Sequence, residues 1–468
     1  MTSTLEMPRS VGHLFTESVL ATRSAGQFEP WWSERARSNR FNVTPIAFDD
    51  LGSWHFDPDT GNLAHASGKF FTIEGLHVRS SYGPVGEWSQ PVINQPEIGI
   101  LGIIVKNVDG VPHCLMQAKM EPGNVNTLQL SPTVQATRSN YTRVHQGGST
   151  RYLEYFAGPV RGRVLVDVLQ SEQGSWFYRK RNRNMVVEVS DDIPLHEDFC
   201  WLPLRQVLDL LHVDNLVNMD ARTVLSCMPF APPQAGSGSR HAPAAFRRAL
   251  ARSLDLFAGA RHDLGDILSW FTEEKTRHEV STQLVPARRL AGWKRTDHEI
   301  ARADGKHFRV IAVNVEASNR EVPSWRQPLL APVSRGIIAF LAKAIEGVMH
   351  VLVHARVEPG FVDAAELGPT LQLLQENYAG LPQPRYLDYV LGADPARIRF
   401  DALLSEEGGR FYDAQNRYQV IEVDDDFPLS CPQDYRWVTL GQLSELLRHS
   451  HYLNVQARSL VACLHSLW

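Results

Sequence analysis

Residues 90–135 read QPVINQPEIGILGIIVKNVDGVPHCLMQAKMEPGNVNTLQLSPTVQ, and residues 327–372 read QPLLAPVSRGIIAFLAKAIEGVMHVLVHARVEPGFVDAAELGPTLQ. Aligned without a gap, these 46 positions share 18 identities. A match of that density marks a duplicated domain, so every candidate site occurs twice and the copies can be compared. Upstream, Gly68-Lys69 matches Gly305-Lys306, and Trp88-x-Gln90 matches Trp325-x-Gln327. Downstream, after a three-residue deletion, RYLEY from Arg151 matches RYLDY from Arg385, and LQSEQGSWFY from Leu169 matches LLSEEGGRFY from Leu403. VEVSDDIPL then matches IEVDDDFPL, and VNMDAR at Val217 and LNVQAR at Leu453 close the two copies.

A chain of 468 residues exceeds one ordinary core, which agrees with two domains. Residues 1–39 are expected as an N-terminal helical arm anchored by Trp31 and Trp32, and 40–229 as the first copy. Residues 230–264 are expected as linker and connecting helix, and 265–468 as the second copy. The stretch PFAPPQAGSGSRHAP is linker-like in its Pro, Gly and Ser content, and AAFRRALARSLDLFAGAR after it reads as a helix. GILGIIVKNV, CLMQAKM, RVLVDVLQ and MVVEVS are short, β-rich and bounded by turn residues. LPLRQVLDLLHV and VTLGQLSELLRHS carry apolar residues at helical spacing. Strands joined mostly by short turns, with helices added around them, give an α+β class.

Composition excludes several classes of function. Net charge is −5, with 43% apolar and 21% charged residues, which argues against a dedicated nucleic-acid surface. No apolar run approaches the roughly 20 residues that span a bilayer, so no membrane partner is expected. The start, MTSTLEMPRSVGHLF, lacks a basic segment followed by an apolar core. The five cysteines (Cys114, Cys200, Cys227, Cys431, Cys463) have no C-x-x-C spacing, which suggests free thiols and a cytoplasmic location.

Met120 to Asn140 carries most of the functional signal. An apolar strand ends in Glu-Pro-Gly, and the polar stretch after it is long enough for a loop and a helix. The pattern resembles a disarmed Nudix box, whose carboxylates on one helical face hold a divalent metal against a diphosphate. In the first copy the acidic positions of that box fall on Gln129, Thr137-Arg138 and Tyr141-Thr142; in the second they fall on Glu366, Leu374-Gln375 and Tyr378-Ala379. Without those carboxylates magnesium is not held, so a Nudix-like fold here has lost metal-assisted hydrolysis.

EPGNVNTLQLSPTVQATRSNYTRVH, RYLEYF and LQSEQGSWFYRKRNRN resemble the NDP-hexose 2,3-dehydratases of deoxysugar biosynthesis, and the likeness covers nearly the whole chain. The resemblance implies a homodimeric enzyme of two tandem Nudix-like domains, each a mixed sheet flanked by helices. It implies dTDP-4-keto-6-deoxyglucose as substrate and loss of water across C2 and C3, giving the 3,4-diketo-2,6-dideoxy sugar nucleotide without metal or redox cofactor. It further implies two sugar-nucleotide pockets per subunit, one catalytic and one a relic.

Such a reaction needs a base for the C3 proton, an acid for the departing C2 hydroxyl, and donors for charge on the C4 oxygen. The first copy concentrates polar groups where these are required: Asn124, Asn126, Thr127, Gln129, Ser131, Thr133, Gln135, Thr137, Asn140, Tyr141 and His145. The second copy has Phe361, Ala364, Ala365, Gly368, Leu371 and Leu374 at several of those places, and no counterpart of His145. The catalytic pocket is therefore expected in the first copy and a vestigial one in the second.

His145, Tyr141, Glu121 and Glu154 are the acid–base candidates. His145 titrates near neutrality, although loop histidines are commonly just solvated. Tyr141 has a phenol that can protonate a hydroxyl, but a shared tyrosine (Tyr378) also suits burial with one partner. Glu121-Pro122-Gly123, common to both copies, is explained equally well by a turn. Glu154 is matched by Asp388, which favours a shared ligand-holding or structural role. For the diphosphate, Lys119, Arg138, Arg143 and Arg151 flank the polar loop, and Arg179 and Arg183 belong to a basic cluster. Trp88 or Tyr152 could stack on thymine, with core packing the bland alternative for Trp88, and Gln90 and Gln95 could read base edges. The competing readings are a metal-dependent Nudix-type nucleotide-sugar hydrolase and a non-catalytic nucleotide-sugar binding protein.

Overall fold

A computed structural model describes residues 11–21, 26–137, 150–158, 162–233, 241–318 and 322–468. Each copy builds a seven-stranded mixed sheet of the same design. In the first, the order is Arg163–Ser171, Arg181–Glu188, Gly99–Val108, Val111–Met120, Phe199–Pro203. Two short strands, Leu128–Ser131 and Val134–Ala136, pair with Val111–Met120 and Gly99–Val108 respectively. Arg181–Glu188 runs parallel to Gly99–Val108, and Gln415–Glu422 runs parallel to Gly336–Ile345 in the second copy. The long central hairpins turn on Asp109-Gly110 and Glu346-Gly347, all four residues at positive φ, as a two-residue turn matching strand twist demands. The class is thus α+β with duplicated architecture, and the stretch read as loop plus helix after Gly123 holds two short strands instead. Its alternation of Leu128 and Leu130 with Gln129 and Ser131 has a strand period, not a helical one.

The strand residues of Gly99–Val108 divide by parity. Leu101, Ile103 and Val105 face a central core that also contains Ile338, Phe340 and Ala342 of the second copy. Ile100 and Ile104 face a separate outer core with Tyr152 and Phe156. The strand is therefore apolar on both faces, which explains its continuous hydrophobic run. Helices Met219–Ser226 and Val455–His465 pack together in the shared core. The guanidiniums of Arg222 and Arg458 are fully buried there and act reciprocally. Arg222 donates to the carbonyls of Val217 (2.7 Å) and Ser405, and Arg458 donates to those of Leu453 (2.6 Å) and Ser171. Each side chain thus ties its own repeat to the other.

Two smaller sheets are completed by exchange. Phe41–Ile46 pairs antiparallel with Phe308–Ala317 of the second copy, and Val280–Val285 pairs with Thr72–Ser80 of the first. The helices before these strands also correspond: in Phe28–Ser38, Trp31 Nε1 donates to the Glu197 carbonyl at 2.8 Å, and in Leu264–Arg277, Trp270 Nε1 donates to that of Gln433 at 2.8 Å. No helix among the described residues is long and apolar enough to cross a membrane.

The backbones of the two copies meet at the Glu-Pro-Gly turns. Gly123 N donates to Gly408 O and Gly360 N donates to Gly174 O, both at 2.7 Å. A Cβ on Gly123 would lie 1.7 Å from the Phe411 carbonyl oxygen, and one on Gly360 would lie 1.7 Å from that of Phe177. Only glycine permits this backbone contact. Gly123→Ala should lower the unfolding free energy by roughly 3 kcal/mol or more in chemical denaturation. Gly68→Ala, at φ +63 with nothing within 4 Å of the added carbon, should lose only about 1–2 kcal/mol. Equal losses would show that the contact at Gly123 is not what joins the repeats.

Candidate active site

The Glu-Pro-Gly turn of the first copy closes one end of a cavity of about 1250 Å³. That exceeds the usual volume for a drug-sized ligand. Its floor is the first copy's large sheet, and much of its wall is the second copy's loop 407–410 together with Trp325, Arg326 and Gln327. Arg35 and Asn39 from the Phe28–Ser38 helix and its cap reach the rim.

Of the residues singled out in the sequence, Gln95, Lys119, Glu121, Pro122, Thr133, Gln135, Thr137 and Arg151 line this cavity. Glu121 Oε1 accepts from Gln135 Nε2 at 2.8 Å and lies 3.3 Å from Lys119 Nζ, with Glu121 and Lys119 both buried. Gln135 is oriented in turn by Ser131 Oγ and by Asn218 Nδ2, each donating to its Oε1 at 3.3 Å. Thr133 Oγ1 accepts from Ile104 N at 2.9 Å and donates to the Leu115 carbonyl at 2.5 Å, which pins the short strand to the sheet.

Other candidates lie elsewhere. Asn124 Nδ2 donates to the Thr127 carbonyl, Asn126 Nδ2 to that of Asn215, and Gln129 joins Asn126 to Ser405; these brace the turn and the contact between copies. Glu154 is exposed at the start of a short helix, and Tyr152 donates to the Pro194 carbonyl at 2.6 Å in the outer core. Arg179 is exposed over the Tyr178 ring, and Arg183 pairs with Asp167 at 2.6 Å. Trp88 Nε1 donates to Gln90 Oε1 and Gln90 Nε2 to the Ser175 carbonyl; neither residue lines the cavity, whereas their counterparts Trp325 and Gln327 do. Gln327 Nε2 donates to the Gly409 carbonyl of the loop that crosses to this cavity, as Gln90 holds the equivalent loop that crosses the other way. Arg138, Asn140, Tyr141, Arg143 and His145 lie outside the described residues.

Several cavity residues escaped the sequence reading. Between the outward Arg179 and Arg183, the alternate positions Lys180 and Asn182 face the cavity, as strand parity requires. Asn182 Nδ2 donates to Glu172 Oε1 at 2.6 Å, and Lys180 Nζ donates to the Glu97 carbonyl. Asn218 caps helix Met219–Ser226 by accepting from Ala221 N at 2.8 Å, which sets Asp220 in the first turn at the cavity. Glu407 and Arg410 come from the second copy; Arg410 donates to Gln95 Oε1 at 3.1 Å with its guanidinium 4.4 Å from the Phe71 ring centre. The differences Lys180 to Ala414 and Asp220 to Gln456, inside otherwise matching blocks, were the available signal.

Burial dominates the protonation of this group. It pushes Glu172 up, opposed by the charges of Arg458 and Lys180 and by the Asn182 hydrogen bond. It pushes Lys180 down to about 8, against the pull of Glu172. Asp220 is held well above the ordinary carboxyl range by burial and then by the charges of Glu172, Glu407 and Glu121. Glu407 is pushed up to about 7 by burial, with Arg410 opposing and Glu121 and Glu172 reinforcing. Carboxyls held above their ordinary range and an amine held below its own, in one cavity, can donate and accept protons at carbon and oxygen. Among the described residues, no three His, Cys, Asp or Glu side chains converge as a metal site.

Lys180→Ala should let Glu172 titrate at still higher pH, because an opposing positive charge is removed. Infrared titration against a Glu172→Gln reference measures this; an unmoved carboxyl would show that Lys180 does not act on it.

Comparison with known proteins agrees with the duplication. The family model described as NDP-hexose 2,3-dehydratase matches residues 25–228 and again 264–464. A dTDP-4-dehydro-6-deoxy-α-D-glucopyranose 2,3-dehydratase of Saccharopolyspora spinosa is 58% identical over 94% of this chain and 91% of its own length. Proteins of the same name from Amycolatopsis orientalis and Streptomyces violaceoruber are each 51% identical, over 93% and 95% of this chain and 89% and 98% of their own.

Proposed function

The chain belongs to the NDP-hexose 2,3-dehydratase family, and from that premise we infer that it removes water across C2 and C3 of dTDP-4-keto-6-deoxyglucose. It is a sugar-nucleotide hydro-lyase of deoxysugar biosynthesis, yielding the dTDP-3,4-diketo-2,6-dideoxyhexose. One observation supports the first copy's cavity as the site: carboxyls with raised pKa, two buried lysines and neutral amide donors meet on its floor.

The chemistry assigns the residues as follows. Glu121, held by Lys119 and Gln135, takes the C3 proton, which is acidic because C4 carries the ketone. Charge that develops on the C4 oxygen is met by Lys180 and Asn182, donors already fixed before the reaction. As the C4 carbonyl re-forms, the double bond shifts to C2–C3 and the C2 oxygen departs as water. The C3 enol then tautomerises to the ketone. Higher in the cavity, Arg151, Arg326 and Arg410 suit the diphosphate, and Trp54, Phe71 and Trp325 suit the base. The second copy's pocket is read as vestigial: Tyr82 and His354 are half-buried together 3.3 Å apart, and Ala414 and Gln456 stand where the first copy has Lys180 and Asp220. The family likeness also supports a cytoplasmic homodimer, which would sediment at about twice the 52.7 kDa chain mass.

Incubating chelator-treated protein with dTDP-4-keto-6-deoxyglucose in deuterated water tests the reaction. Loss of water with deuterium in the product is expected. Glu121→Gln should abolish both C3 exchange and elimination, lowering kcat roughly a hundredfold to ten-thousandfold. The sequence candidates His145→Ala and Tyr141→Phe belong in the same assay. Sugar that binds but neither exchanges nor dehydrates would favour a binding protein, and cleavage at the diphosphate only after magnesium is restored would favour a hydrolase.

A further inference from the structure

The loops 171–177 and 405–411 are equivalent in the duplication, yet each crosses to the other copy's pocket. Ser175 N, in the first loop, donates to Glu358 Oε2 at 3.1 Å, and Glu358 is the second copy's counterpart of Glu121. The second loop brings Glu407 and Arg410 into the first copy's cavity. Glu407 corresponds to Gln173, and that difference is chemical.

Gln173 shows what an amide does at this position, although its own Oε1 is buried without a partner among the described residues. Its Nε2 donates to Glu406 Oε2 at 2.8 Å, and Glu406 Oε1 accepts from Asn416 at 2.6 Å and from the Tyr418 hydroxyl at 2.8 Å. The Glu406 carboxylate is thereby satisfied at both oxygens. Its equivalent in the first copy, Glu172, has only its Oε1 satisfied; the buried Oε2 has no hydrogen-bond partner among the described residues. The residue in the place of the helpful amide is Glu407, whose Oε2 is likewise shielded and without a partner. A carbon added at Gly409 would meet Glu407 Oε1 at 2.4 Å and Glu121 Oε1 at 3.6 Å, so both carboxyls face the same point of the wall. Exchanging an amide for a carboxyl beside two other carboxyls raises the cost of burial. A glutamine at this place would carry no such burial cost of a charge.

We propose that Glu407, supplied by the second repeat, is the acid that protonates the departing C2 hydroxyl in the first repeat's cavity. The Glu407 proton passes to the C2 oxygen as the C2–O bond breaks with its electron pair, and water leaves. Glu407 remains as a carboxylate and is reprotonated from solvent; Glu121 returns the C3 proton to solvent. The retained value of the second copy is then catalytic, through this loop, whatever its own pocket does. Poised near 7, Glu407 is protonated below that pH, so kcat/KM should fall as pH rises through about 7.

This proposal rests on the dehydratase reading, and the parent protein's own turnover in deuterated water checks that reading separately. In the same assay Glu407→Gln should keep KM within about threefold, and kcat should fall roughly a hundredfold or more. Recovered substrate should still carry deuterium at C3, since proton abstraction precedes the acid step. Glu407→Asp should restore part of kcat together with the alkaline limb near 7, which a purely structural role would not do. Glu407→Gln with parental kcat and pH profile would overturn the proposal. So would joint loss of exchange and elimination in a variant that still binds dTDP, which would put Glu407 at the base step.

Discussion

Four backbone hydrogen bonds carry the geometry on which the rest depends. Gly123 N and Gly360 N each donate to a loop carbonyl of the opposite copy, and Gly123 O and Gly360 O accept from Asp413 N (2.9 Å) and Arg179 N (2.8 Å). With carbonyl oxygens so close to both glycines, no side chain fits. The Glu-Pro-Gly identity shared by the copies is therefore an inter-repeat joint. It also sets Glu121, two residues earlier, against the second copy's loop, and the joint thereby makes the cavity a product of both repeats.

A second constraint is electrostatic. Burying Glu172, Asp220, Glu121 and Glu407 near one another is unfavourable when all are ionised, and Lys119, Lys180 and Arg410 offset only part of it. Protons therefore stay on some of these carboxyls at neutral pH. An elimination adjacent to a ketone needs such a mixture, with one group ready to accept a proton and another ready to give one. The second copy shows the relaxed alternative, in which Gln173, Asn416 and Tyr418 satisfy Glu406 and no lysine is present at Ala414.

Duplication made this arrangement accessible. Two copies that exchange strands and loops are bound into one folding unit, so one pocket can change its charged groups while the other keeps its own, such as the Arg356–Glu358 pair. Several symmetric parts are structural: the buried Arg222 and Arg458, the helix caps Asn218 and Asn454, the paired turns. The asymmetric parts, Lys180, Asp220, Glu407 and Arg410, all lie on the wall of one cavity.

The sequence by itself determined the duplication, the α+β class and the family, because long matched blocks and strand-length apolar runs are local properties. It also reached part of one wall: Lys119, Glu121, Thr133, Gln135 and Thr137 lie within one short stretch, and Arg151 lies a few residues beyond. Tertiary structure alone decided what faces them. Strand parity turned Lys180 and Asn182 inward and left Arg179 and Arg183 outside, and the basic run gave no sign of which set would face the cavity. The crossing of loop 407–410, which Gln327 holds, put Trp325 and Gln327 at the cavity where Trp88 and Gln90 were expected. Glu172, Asp220 and Glu407 are separated by up to a few hundred residues, and only the packing of two sheets on one core brings them together. Periodicity specifies which side of an element is buried; the partner across the gap is set by the three-dimensional path of the chain.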